Sequence, residues 1–237
     1  MLSIYRLTLR QLSSRSRLVI LTVLAVMPVV TAVMMIKESG TLSVYEFELG
    51  VLSTGLIGTI VPLVVLAIAS AAFGNELEDR TLANLTLTPL PRWRISLPKL
   101  LASITIAAPL IALSALLTAH VGFLGEWKAT IAITAAAIAA VAMYASMFVW
   151  LGLVSAQAVG IGLLYIVIWE GLLSGFVSGV RLLSIRHYAI ALMHGLDERR
   201  FAATDHVSMG AAIVMSALVI GGFFLLSIRR LRRMDVP

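Results

Sequence analysis

The chain has no cysteine in its 237 residues, which excludes disulfides, thiolate catalysis, iron–sulfur ligation and every cysteine-based zinc site. Charge is also scarce: 13% of the side chains are charged and 60% are hydrophobic. Soluble domains are about a quarter charged and about half apolar, so an ordinary water-soluble domain is excluded as well. Each lysine follows a residue other than glycine (Ile36, Pro98 and Trp127), so no phosphate-binding loop with Gly before its Lys exists and ATP is not hydrolysed by that route. No serine lies in G-x-S-x-G and no histidine precedes a glutamate. Intramembrane hydrolysis therefore lacks its usual signatures.

What is present is long charge-free sequence. Runs of 19, 27, 26, 41 and 23 residues lie between Arg17 and Lys37, Glu48 and Glu76, Lys99 and Glu126, Lys128 and Glu170, and Asp205 and Arg229. A bilayer core takes about 20 helical residues to cross, so the longest run must cross twice. The expectation is an all-α integral membrane protein of one domain, residues 1–237, with six transmembrane helices. These are Leu18–Ile36, Val51–Phe73, Leu100–His120, Ala129–Leu151, Val159–Phe176 and Gly210–Ile228. Gly152, Ser155, Gln157 and Gly160 mark the turn between the fourth and fifth spans. Pro28, Pro62 and Pro109 each remove a backbone hydrogen bond inside a span, where kinks are expected.

The net charge of +6 would suggest nucleic acid in a soluble chain, but these cations flank apolar spans and serve orientation. No nucleic acid partner is expected. With the N-terminus cytoplasmic, residues 1–17, 74–99 and 229–237 hold twelve Lys/Arg and the opposite side six. This bias places both termini inside. Trp93 and Trp150 on that side, with Tyr45 and Trp127 on the other, fit aromatic belts. In residues 1–17, Leu2, Tyr5, Leu9 and Leu12 lie at helical spacing opposite Arg6, Arg10 and Arg17, as in a helix lying among lipid headgroups; the plainer reading is a charged flank. The stretch is too extended for a cleavable signal, and the first span is expected to remain in the mature protein.

Two connections exceed a simple turn, residues 74–99 inside and 177–209 outside. In the outer one the apolar stretch from Tyr188 to Met193 is too short to cross, as in a re-entrant or gate-like segment before the last span. Glu170 is the sharpest single residue, because a carboxylate in a membrane must neutralise, pair or meet water. It either lines a pathway or its gate, or reaches the headgroups beside Trp169; with Arg181 or Arg186 as partner it is a structural latch. His187 and His194, seven apart, share a helical face and with Asp205 or His206 could hold a metal; ordinary loop polarity is the preferred reading, and no metal is assigned. Met143 and Met147 read as packing. Gly171, Gly175 and Gly179 repeat at four-residue spacing, which lets a second helix approach closely, within the chain or at a dimer seam.

The inner connection reads GNELEDRTLANLTLTPLPRWRISLPK. Asn75 with Glu78 makes a capping-box pattern, and Glu76, Glu78 and Asp79 suit the first turn of a helix. Leu82 and Leu85 give it an apolar face, Pro89 and Pro91 stop it, and Pro98 suits the first turn of the third span. This segment resembles the permease subunits of type-2 ATP-binding-cassette (ABC) transporters. In that family the second and third spans are joined by approximately E-x-E-x-G-T-L, then T-P-V-S-R-W-x-I-x-x-G-K. Glu76, Glu78, Thr81, Leu82, Thr88, Pro89, Arg92, Trp93, Ile95 and Lys99 match in order. Arg80 stands where Gly is usual, Pro91 for Ser and Pro98 for Gly.

The resemblance implies a short cytoplasmic coupling helix over residues 75–89, within the coupling loop 74–99, docking on a separate ABC-type ATPase. Its residues would be Glu76, Glu78, Asp79, Arg80, Thr81, Leu82, Leu85, Pro89 and Arg92. ATP and magnesium would be bound by that subunit, and this chain would hold no cofactor and no catalytic residue. Two permease chains, identical or homologous, would enclose the pathway in the inner (cytoplasmic) membrane, with first and fifth spans at the seam and Gly171, Gly175 and Gly179 within it. Glu170, His187 and His194 would belong to the translocation path or its gate, and export is the usual direction. Two alternatives stand beside it: a haem- or cofactor-handling assembly permease, and a membrane enzyme using the outer histidines and Glu170.

Overall fold

The computed structural model describes residues 2–39, 44–78, 91–173, 183–198, 201 and 207–233. Among them the chain is helical throughout, without strands. An interfacial-length helix α1 (Leu2–Leu12) precedes α2 (Arg15–Ser39). Next comes α3 (residues 44–78), then α4 (Trp93–Gly122) and α5 (Trp127–Val154). The shorter apolar α6 (Ala158–Leu172) follows, then α7 (Ile185–Leu196) and α8 (Met209–Arg233). Five of these, α2, α3, α4, α5 and α8, are long and apolar enough to cross a membrane. The protein is a multi-pass, all-α membrane protein.

The expected break between the fourth and fifth spans falls at Ser155–Gln157, where Ser155 is extended and its hydroxyl accepts from the Gln157 amide at 3.1 Å. Gly160, expected to belong to that turn, lies inside α6. The α4–α5 connection is tight. Gly125 takes φ +87°, and its amide donates to the His120 carbonyl at 3.1 Å, closing α4 through a left-handed residue that suits glycine.

Helix α5 is the hub. Its alanine-rich faces bury Ala129, Ala132, Ala136, Ala137, Ala140 and Ala145, and small side chains let backbones approach where lipid gives no hydrophobic drive between helices. A close approach is at Gly152, where an added Cβ would lie 2.2 Å from the Ser70 carbonyl oxygen of α3. Around the hub, α2, α6 and α8 keep an apolar outer face, with Val23, Val30, Leu164, Val167, Leu218 and Leu225 exposed. In water such a surface would be a liability; in a bilayer it is covered by lipid or by a further apolar helix.

The prolines are absorbed locally. Residues Glu48–Ile60 of α3 form wide π-helical turns, and Val61 still donates to Leu56, five residues back, just before Pro62 restarts the α-helix. In α2, Pro28 leaves the Leu24 carbonyl without its helical donor, and next to it the Ala25 carbonyl accepts from Ser114 of α4 at 2.5 Å.

Two expectations for the inner connection change. Asn75 does not cap a helix: residues Ala71–Glu78 continue α3, so Asn75 lies within it. A capping box needs a chain break before Asn75, and the Gly74 amide instead bonds the Ser70 carbonyl at 2.9 Å. Pro98 lies inside α4, because that helix begins at Trp93. Helix α1 forms as expected and turns Thr8 and Leu12 inward, with the Tyr5 hydroxyl 2.9 Å from that of Thr105 on α4. Leu2, expected on its apolar face, is exposed.

Candidate functional site

The helices place polar groups at two ends. One end, here the stem end, holds the last turn of α3, the start of α4 and the last turns of α8, where Trp93 shares a groove with Arg229 and Arg232. The other, the cap end, holds the start of α3, the α4–α5 turn and α7.

At the stem end Lys99 is 1% exposed. It has no route to water, so its ammonium must find partners inside. It donates to Glu76 Oε1 at 2.6 Å and to the Ala72 carbonyl, and it sits 4.5 Å from the Phe73 ring centroid. Three elements of one α3 turn thus hold one cation of α4, and the two stems of the 74–99 connection are pinned together. Glu76 is therefore turned into the bundle rather than outward. Glu78 ends the described part of α3, and Arg92 precedes α4, its carbonyl accepting from Ile95 and Ser96 at 3.1 Å each. Asp79, Arg80, Thr81, Leu82, Leu85 and Pro89 lie outside the described residues.

At the cap end Glu170 is 1% exposed, within the π-helical turns Tyr165–Leu173 of α6. It does not reach the headgroups. Its carboxyl accepts from the Tyr165 hydroxyl at 2.8 Å, the Ser184 hydroxyl at 2.5 Å and the Ile185 amide at 3.0 Å. Ser184 is also the N-cap of α7, accepting from the His187 amide at 3.2 Å. Glu170 therefore sits at the positive start of α7, where a carboxyl completes the free amides and meets the helix dipole. Arg186 reaches from α7 to the Ser53 and Thr54 hydroxyls of α3 at 3.0 and 3.2 Å. Burial lowers the Arg186 guanidinium from its ordinary value, and Glu170 and then Tyr144 oppose that shift. The latch expected for an Arg186 partner thus takes a wider form, in which Glu170 and Arg186 together tie α7 to α6 and α3.

His194, near the end of α7, pairs with Glu48 of α3 at 2.5 Å and stacks on Phe201 with ring centroids 5.6 Å apart. Phe201 meets Phe123 edge-on, and Phe123 meets Phe47 likewise. Asp197, just past α7, lies 3.5 Å from exposed Lys128. His187 shares α7 but contacts Tyr188 instead, at 6.1 Å between centroids, so the two histidines are not brought together. Among the described residues no three His, Asp or Glu side chains are grouped to hold a metal; Asp205 and His206 lie outside them. Gly171 is on the exposed face of α6, and Gly175 and Gly179 lie outside the described residues.

No family model matches the chain, and no curated protein matches it as a relative. The geometry therefore stands by itself. Sequence reasoning missed Lys99 as a pin, Glu48 as the partner of His194, and Ser53 and Thr54 as ligands of Arg186. One signal was readable: Ser184 before an apolar helical stretch is an N-cap pattern. The lone Lys99 between Arg94 and Glu126 was another, since a cation inside an apolar span needs a named partner.

Proposed function

We propose that this chain is the membrane-spanning permease half of an ATP-driven exporter of the type-2 ABC class, with α6 as a sixth span and both termini cytoplasmic. The coupling segment of residues 75–89, apart from the buried Glu76, docks on a separate ATPase, which supplies ATP hydrolysis and magnesium binding. A second copy or a homologous chain completes the pathway, and the apolar outer faces of α2 and α6, with Gly171 on the latter, form the seam.

One observation carries this reading: the two stems of the motif-bearing connection are locked together by Lys99 and Glu76. Docking alone does no work. Force applied to the coupling segment must pass into the bundle without being lost in a loose hinge, and a rigid double stem does that. Lys99 and Glu76, both matching the family motif, would then be transmission elements rather than docking side chains. At the other end, α7 is too short to cross, at roughly 18 Å for twelve residues, yet it is tied to α3 and α6. In this reading it is a gate piece whose position follows those helices, and coupling requires that its contacts differ between the two nucleotide states. Glu170 and His194 act here by holding the gate piece.

The membrane-enzyme alternative gains nothing from this arrangement, since Glu170 and His194 are engaged in separate contacts. Haem bound to the purified complex would favour a cofactor-handling role.

The test is Leu85→Asp and Arg80→Glu in proteoliposomes with the partner ATPase. Both are expected to abolish stimulated ATP hydrolysis and transport while the helical circular dichroism and elution volume stay as in the parent. Full transport by either variant would sink the docking assignment.

A further inference from the structure

A groove of about 340 Å³ lies at the stem end, lined by Trp93, Leu225, Ile228, Arg229 and Arg232. Leu225, Ile228, Arg229 and Arg232 lie three, four and seven residues apart, on one face of α8. Trp93 is 41% exposed beside them, and the Arg94 guanidinium sits 5.4 Å from its ring centroid. Three cations thus surround one half-open indole. Among the described residues the salt bridges are Lys99–Glu76, Lys128–Asp197 and His194–Glu48, and none involves Arg94, Arg229 or Arg232.

The negative end of α8 favours arginines in its last turn, but it does not account for the trough between them. Nor does it explain what lies further along the same face toward the bundle centre. Leu225 and Leu218 are 65% and 60% exposed, and a Cβ added at Gly221 or Gly222 would meet nothing within 4 Å. Two arginines therefore top a shallow apolar track with an indole at its mouth. Guanidinium groups bind phosphate oxygens in pairs, indoles settle at headgroup depth, and an open apolar stripe suits an acyl chain.

We propose that this groove binds an anionic glycerophospholipid, with its phosphate between Arg229 and Arg232 and one acyl chain along Leu225, Gly221 and Leu218. The site rests on α8 crossing the bilayer and not on the transport reading, so it can fail or stand independently of that reading. It would anchor the last helix to one leaflet beside the start of α4, next to the pinned stems.

The test uses the full chain purified in mild detergent and exposed to equal amounts of phosphatidylglycerol and phosphatidylcholine, with retained lipid counted by native mass spectrometry. Preferential retention of phosphatidylglycerol is expected. Arg229→Gln with Arg232→Gln should reduce that preference at least about tenfold, since the charge-assisted hydrogen bonds to the bound headgroup are lost with the two guanidinium groups. Arg230→Gln with Arg233→Gln makes the same change in net charge outside the groove and should keep the preference. Equal loss in both double variants would mean diffuse surface charge and overturn the site, as would equal retention of the two lipids by the parent. Glycerol phosphate, which has no acyl chains, should fail to displace the bound lipid; displacement would assign the groove to free phosphates instead.

Discussion

Among the described residues two glutamates are buried, one at each end, and they are accommodated by different means. Glu76 at the stem end is matched by a full cation, Lys99, at 2.6 Å. Glu170 at the cap end is surrounded by dipoles: two hydroxyls, one backbone amide and the start of α7, with Arg186 further out. An ion pair in low dielectric is strong and little screened, and breaking it strands a charge. A hub of hydrogen bonds can lose one member and keep the rest. The stem end therefore rests on one charge pair, and the cap end on several hydrogen bonds around the start of a short helix.

The largest expected effect separates the two. Lys99→Met leaves Glu76 buried without its cation and should cost about 3 kcal/mol in detergent denaturation, most of it restored by adding Glu76→Leu. A single variant as stable as the parent would show that the pin is not structural. Next comes the hub. Glu170→Leu removes the acceptor for Tyr165, Ser184 and Ile185 and should cost about 2 kcal/mol, with amide exchange accelerated across residues 185–196 and unchanged across 61–77. Glu170→Gln keeps an acceptor oxygen and should cost only about 1 kcal/mol. Equal losses for the two would mean that charge, not hydrogen bonding, organises the cap end, and the contrast with the stem would collapse. The smallest effect belongs to the exposed partner of Asp197: Lys128→Ala should change stability by less than about 0.5 kcal/mol, and a larger loss in the same denaturation would place a significant tie at the outer edge of α7.

Much of the fold was legible in one dimension. Charge-free runs marked α2 to α5 and α8, and the Ser155–Gln157 break was visible because polar and small residues interrupt an otherwise unbroken apolar run. The Tyr188–Met193 stretch was legible as a short helix for the same reason. The capping box at Asn75 misled because its pattern is local, whereas the helix through it is sustained by Lys99, 24 residues further on. The π-helical turns of α3 and α6 left no signal in the sequence, nor did the close packing of Arg186 on α3, where it passes within 3.1 Å of where a Cβ on Gly58 would lie.

Five spanning-length helices follow from the linear pattern of charge, because every long stretch without it must be covered by lipid or by another helix, whereas the sixth expected span, Val159–Phe176, is described only as the shorter apolar helix Ala158–Leu172. Which charge meets which does not follow from that pattern. Glu76 and Lys99, Glu170 and Ser184, and Glu48 and His194 are 23, 14 and 146 residues apart. Their distances are set by how α3, α4, α6 and α7 pack around α5, and a buried polar group accepts whichever partner that packing delivers.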